Sequence, residues 1–194
     1  MPAIGVLSYQ GGFAKHLERL GAIGCEPIAV RDVATLARVD ALIIPGGEST
    51  TIGMLLERFG LLEALKERIP EGFPVFGTCA GAILLAREIE NSAQPRIGAM
   101  DIAIRRNAYG RQIESFEADA SAIPDSGFSL SGFHGVFIRA PKIIRVGADV
   151  VSLLEFEGQP ILVRSGRLLA ATFHPELTGD DRIHRYFVET LVSH

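Results

Sequence analysis

The tightest constraint on the fold lies between Pro74 and Arg87, in the stretch PVFGTCAGAILLAR. Val75 and Phe76 read as the end of a buried strand, Gly77-Thr78-Cys79-Ala80-Gly81 as a sharp turn, and residues 82–87 as a helix with an apolar face. Side chains at positions 77 and 81 would collide with neighbouring backbone in so tight a turn, which gives both glycines a steric job. The turn lifts the Cys79 sulfur out of the chain at the carboxyl end of a sheet. It also places Cys79 and the Ala80 N–H at the positive end of a helix, where thiolate is favoured over thiol. This is the cysteine form of a nucleophile elbow. The bland alternative is a small buried cysteine where a helix packs closely on a strand.

The chain around this stretch supplies a matching frame. Short apolar runs at 3–9, 26–30 and 41–45 read as buried strands. Helical patterns fall between them: 13–21 with Phe13, Leu17 and Leu20 in register, a short helix to Arg38 capped by Asp32, and a helix from Ser49-Thr50-Thr51 to Phe59 with further turns to Ile69. Strands alternating with amphipathic helices predict a parallel sheet covered on both faces, a three-layer, flavodoxin-like α/β fold. From Asp101 onward the pattern turns strand-like, at 101–107, 112–118, 136–140, 150–156, 160–164 and 168–173, with hairpin turns at Phe156-Glu157-Gly158-Gln159 and Ser165-Gly166. A closing helix over 180–192 turns Ile183, Phe187 and Leu191 inward. The expectation is a mixed, mostly parallel sheet with helices on both faces and an antiparallel extension. With no repeat or linker, residues 1–194 read as one domain.

Composition narrows the function classes. At 194 residues, 47% of them hydrophobic, one core can bury roughly 70% of the unfolded surface. A net charge of −4 without a basic block argues against a nucleic-acid partner. The opening MPAIGVLSYQGG lacks the basic and long apolar parts of a secretion signal, and no apolar run reaches the ~18 residues that would predict a membrane span. Cys25 and Cys79 make no disulfide framework, and a free reactive thiol suits a reducing cytoplasm.

Three further constellations bear on chemistry. In Phe173-His174-Pro175-Glu176, residues i and i+2 of an extended chain share a side, and Pro175 restricts both its neighbour and itself. Glu176 can then accept from one imidazole nitrogen while the other faces the thiol, giving nucleophile, base and orienting carboxylate. In Pro45-Gly46-Gly47-Glu48-Ser49, two glycines after a strand free backbone N–H groups to face a ligand, so that Gly47 and Ala80 N–H could form an oxyanion hole. The plainer reading there is a tight turn with a helix cap. Arg105, Arg106, Arg111 and Arg139 form a cationic set able to hold a carboxylate through paired hydrogen bonds. Cys25 reads as structural, and His16, His134, His184 and His194 show no distinguishing pattern. No metal-ligand spacing and no nucleotide-binding glycine loop occurs, so neither metal nor cofactor is expected.

Taken together, GGESTT at 46–51, GTCAG at 77–81, RNAYGRQ at 106–112, SFEA at 115–118, FIRAP at 137–141 and FHPELT at 173–178 make the chain resemble the class I, triad-type glutamine amidotransferases, and within them the glutaminase subunits of pyridoxal 5′-phosphate synthase. The likeness runs nearly end to end. Ser8 stands where the family usually has glycine, and Gly12-Phe13 depart from its commoner small-residue pattern, differences that could touch the partner contact. The resemblance implies hydrolysis of L-glutamine to glutamate and ammonia, with Cys79 as nucleophile, His174 as base and acid, and Glu176 orienting it. Glutamine would be held by Gly46, Gly47, Glu48, Arg106, Ile138 and Arg139. It further implies ammonia transfer to a (β/α)8-barrel synthase subunit, weak activity without that subunit, and a reorientation of the peptide at Gly47 on docking. Pyridoxal phosphate would be the complex's product, not a cofactor of this chain. The same hydrolysis in another pathway, such as histidine biosynthesis, is disfavoured by RNAYGRQ and FIRAP. A cysteine peptidase or chaperone-like protein on a similar elbow is disfavoured by Ala80, since those often carry histidine after the nucleophile.

Overall fold

A computed structural model describes residues 1–108, 115–124, 128, 130 and 132–193. Its first half is built from β1 (Ala3–Leu7), α1 (Phe13–Ala22), β2 (Glu26–Val30), α2 (Val33–Leu36), β3 (Ala41–Ile44), α3 (Ser49–Arg58), α4 (Leu61–Arg68), β4 (Val75–Thr78) and α5 (Ala80–Leu85). Its second half holds β5 (Ala86–Ile89), β6 (Met100–Arg105), β7 (Ser115–Ala122), β8 (Phe133–Ile138), β9 (Lys142–Val146), β10 (Val151–Phe156), β11 (Gln159–Ser165), β12 (Leu168–Ala171) and α6 (Arg182–Tyr186), with π-type turns over Phe187–Val192.

Among the described residues the main sheet has nine strands, ordered β2-β1-β3-β4-β12-β11-β10-β7-β8. The pairings from β2 to β12 are parallel and those from β12 to β8 antiparallel. β12 is therefore the seam between the two halves, pairing with β4 on one side and β11 on the other. Alternation along the strands feeds a core on each face. Leu42, Ile44 and Val75 pack with α3, α4 and α5, while Ile4, Val6, Ile43, Phe76 and Leu169 pack with α1, α6 and Phe187. The closing helix buries Ile183, Phe187 and Leu191 as its spacing requires, but it widens after Tyr186, where Ser193 N–H reaches back to Val188 O.

The hairpins at Glu157-Gly158 and Gly166 form, with φ of 50°, 72° and 54°, the left-handed values that two-residue turns between antiparallel strands need. The helix read over 82–87 begins at Ala80 and stops at Leu85, because residues 86–89 pair with β6 as a strand. The antiparallel extension runs as expected from β12 to β8 in the main sheet, but the strand read over 101–107 is not part of it. β5, β6 and the unanticipated β9 make a separate three-stranded sheet whose Ile89, Met100, Ile102, Ile104 and Ile143 pack into the α3–α5 core. The start of the strand read over 112–118 lies outside the described residues.

Candidate active site

The turn between β4 and α5 has the steric tightness its glycines imply. A Cβ on Gly77 would lie 2.4 Å from the Gly81 carbonyl carbon, and one on Gly81 would lie 2.0 Å from Ile44 O. Cys79 itself holds φ 49°, a left-handed conformation that a non-glycine residue adopts only when its surroundings impose it. Its N–H donates to Ala171 O of β12 at 2.8 Å, and its carbonyl accepts from Ile83, so strand and helix clamp it from both sides. The thiol is 7% exposed and opens onto a cleft of roughly 340 Å³ lined by Gly47, Glu48, Ser49, Cys79, Ile83, Arg106, Asn107, Ile138, Arg139 and His174.

β12 ends at Ala171, and the chain turns so that His174 N–H donates to Val136 O of β8 at 2.8 Å. The sequence suggested an extended His-Pro-Glu. Instead Pro175–Leu177 form a 3₁₀ turn, with Pro175 at its first position, where a proline lacks no needed donor. The turn still brings Glu176 Oε1 to 2.8 Å from His174 Nδ1, leaving the other ring nitrogen for Cys79. Burial alone would lower the His174 pKa. Hydrogen bonding to Cys79 and Glu176, with their charges, outweighs it and pushes the value up to about 10. The imidazole is thus held protonated beside the sulfur at neutral pH.

The remaining candidates surround this pair. Gly46 is packed so closely on the ring that a Cβ there would sit 2.4 Å from His174 Cε1. Gly47 has φ 147° and lines the cleft, while Ala80 lies buried as the first residue of α5, its N–H beyond reach of an intrahelical acceptor. Ser49-Thr50-Thr51 read in the sequence as offering caps for α3; the cap is the Glu48 carboxylate, which accepts from Thr50 N–H at 3.1 Å and Thr51 N–H at 2.8 Å. Those bonds hold its pKa down against the opposing effect of burial. Arg106 Nη1 donates to Gln94 Oε1 at 2.8 Å and Thr50 Oγ1 at 3.0 Å, which fixes the guanidinium at the cleft while leaving other donors of its fork. The Ile138 carbonyl lies 3.8 Å from Cys79 Sγ, and Arg139 holds a left-handed φ of 45°. Arg105 is drawn away instead, paired through two nitrogens with Glu90 at 2.6 and 2.9 Å. Arg111 and His194 lie outside the described residues.

Behind Cys79, His174 and Glu176 lies a layer that no sequence motif marks. His16 and His184 are fully buried, with His16 Nδ1 3.0 Å from His184 Nε2 and His16 Nε2 3.3 Å from both Thr78 Oγ1 and Glu176 Oε2. Burial, and then the neighbouring His184 and His174, hold the His16 pKa well below its ordinary value; burial and the Arg19 charge push His184 down to about 4. The available signal was helical spacing: His16 lies four residues before Leu20 and so shares its inward face. Gln94, which gathers Arg106, Ser49 and Thr50, had no such signal. His134, unremarkable in the sequence, is an exposed strand residue bonded to Asp119 and Glu117, each at 2.8 Å.

Residues 6–193 match the model of the SNO glutamine amidotransferase family. A pyridoxal 5′-phosphate synthase subunit PdxT from Pelotomaculum thermopropionicum is 56% identical over 97% of this chain and 95% of its own length. The subunit of that name from Thermus thermophilus is 53% identical over 96% of each chain. A solved structure described as a glutamine amidotransferase superposes with a TM-score of 0.92 at 49% identity, covering 98% of this chain and 99% of its own.

Proposed function

The chain belongs to the SNO glutamine amidotransferase family, and on that premise we propose that it is the glutaminase subunit of a pyridoxal 5′-phosphate synthase. It hydrolyses L-glutamine and supplies the ammonia to the synthase subunit for vitamin B6 synthesis. The observation that carries the residue assignment is the His174 ring held between Cys79 and Glu176 at the end of a cleft with two arginines in its wall.

With the thiol proton taken up by His174, the Cys79 thiolate attacks the carboxamide carbon, and the carbonyl electrons move onto oxygen. The Gly47 and Ala80 N–H groups stabilise that oxyanion. When the tetrahedral adduct collapses, the C–N bond breaks and His174 gives its proton to the departing nitrogen, leaving ammonia and a thioester. The neutral imidazole next takes a proton from water, whose oxygen attacks the thioester, and the thiolate leaves with glutamate as product. A ring protonated at neutral pH is ready for the first transfer, and Glu176 stabilises its charge through both. Arg106 and Arg139, with the Gly46-Gly47-Glu48 segment and Ile138, hold the amino-acid end of glutamine. The strands of one sheet are drawn from the whole length of the chain, which supports reading residues 1–194 as one domain. Two free thiols support a reducing, cytoplasmic setting.

The test is Cys79→Ala assayed with the barrel synthase subunit. Glutamine-dependent synthesis is expected to vanish while synthesis from added ammonium salt and subunit docking persist. Release of ammonia from glutamine at the wild-type rate would remove Cys79 as the nucleophile.

A further inference from the structure

Glu176 is the most deeply buried member of the triad, and burying a carboxylate is costly unless hydrogen bonds satisfy its oxygens. Oε1 has His174 Nδ1 at 2.8 Å. Oε2 is sealed from solvent and forms no hydrogen bond of good geometry among the described residues; His16 Nε2 stands 3.3 Å from it. The helix that carries His16 meets this carboxylate twice. Gly12, one turn earlier on the same face, comes so near that a Cβ on it would lie 2.8 Å from Oε1.

The tautomers follow from which groups can accept. A carboxylate offers no hydrogen, so a His16 with a bare Nε2 would set a lone pair against a negative oxygen. His16 therefore carries its proton on Nε2, shared in the resting geometry with Thr78 Oγ1, also at 3.3 Å. Its Nδ1 is then an acceptor, and the His184 Nε2 at 3.0 Å must be the donor. Every group facing His16 fits this single arrangement: Glu176 and His174 from the segment after β12, His184 from α6, and Thr78 from β4. Arg19, on its own helix, is engaged elsewhere, with Asp181 at 3.6 Å and the Glu176 carbonyl at 3.4 Å.

We infer that His16 is a positioning residue of the triad: its Nε2–H is the second donor to the Glu176 carboxylate, and His184 fixes the tautomer that makes it so. The donation is long and bent in this geometry, as catalytic hydrogen bonds commonly are in a site without substrate. Because burial keeps His16 uncharged, its donation aims the carboxylate without adding a second positive charge beside the His174 ring.

This rests on the glutaminase reading, and the experiment separates the two. In the ¹⁵N-labelled full chain, long-range ¹H–¹⁵N correlation of the histidine rings should show His16 and His184 both protonated on Nε2 at neutral pH. A proton on His16 Nδ1 overturns the proposal whatever the kinetics. In complex with the barrel subunit, His16→Leu should lower kcat for glutamine roughly 10- to 100-fold, the loss of one hydrogen bond to a charged group, with KM little changed. The acid limb of its kcat/KM profile should move to higher pH, since a carboxylate with one donor binds a proton more readily. His16→Gln keeps an N–H at that reach and should recover most of kcat. Equal impairment of both variants, or a wild-type acid limb in His16→Leu, would reduce His16 to a packing residue. Should His16→Leu fail to fold, the ring tautomers and the His16→Gln profile decide. A wild-type chain inert toward glutamine beside the barrel subunit would instead overturn the proposed function, leaving the tautomer result to stand by itself.

Discussion

Gly46→Ala is the sharpest test of the site geometry. Gly46 has no left-handed φ, so alanine brings no backbone strain of its own and its effect is purely steric. The added carbon would lie 2.4 Å from His174 Cε1, 3.2 Å from Nδ1 and 3.4 Å from Nε2. Relaxed carbon contacts fall near 3.5–4.0 Å, so something must yield by about 1 Å. The ring is tied at Nδ1 to Glu176 and its backbone to Val136, each at 2.8 Å, so yielding means moving the base off its line to the sulfur. Misplacement on this scale costs about 100-fold in rate, and overpacking costs roughly 1–3 kcal/mol of stability. The assay is glutamate release in complex with the barrel subunit, with a thermal melt to verify folding and ammonium-driven synthesis to verify the complex. Gly21→Ala is the control: its Cβ meets nothing within 4 Å on α1, so it should add up to about 1 kcal/mol and leave kcat/KM alone. A folded Gly46→Ala protein working at the wild-type rate would refute the placement of His174 against this loop.

Other consequences can be measured separately. Since Cys79 and Glu176 hold the His174 imidazolium to about pH 10 against burial, removing the sulfur in Cys79→Ala should drop the midpoint of its NMR titration; an unmoved midpoint would deny the pairing. His184 is pushed down from 6.5 to about 4, so between those values the unfolded chain binds a proton that the native state refuses. Its contribution to stability is complete above about pH 6.5 and is lost on acidification, by roughly 3 kcal/mol at most. His184→Phe should flatten that acid loss in denaturant titrations, and an unchanged slope would count against a neutral buried ring. Arg139→Ala should weaken apparent glutamine affinity far more than docking to the barrel subunit; unchanged affinity would take Arg139 out of the site.

The sequence made legible whatever is set locally or by periodicity. β2 lies over its expected residues, Gly77 and Gly81 have the steric role their spacing implied, and the Asp32 cap accepts from Thr35 N–H at 2.7 Å. Less legible was what depends on distant partners. Residues 86–89 carry no strand pattern strong enough to override a preceding helix; pairing with β6 decides their state. Glu48 looked like a ligand contact and is first a helix cap, a choice fixed by where Thr50 and Thr51 N–H groups point. His16 and His184 lie far apart in sequence and meet only when α1 and α6 cover the same face of the sheet.

The position of β12 has a consequence for biosynthesis. Cys79 emerges from the ribosome long before the strand that anchors its amide through Ala171 and the imidazole that follows, so the nascent polypeptide carries a thiol without a base. The strand that closes the gap between the parallel and antiparallel halves is the one that delivers His174. A product truncated ahead of that seam therefore keeps the thiol but lacks both the strand that anchors its amide and the imidazole beside it.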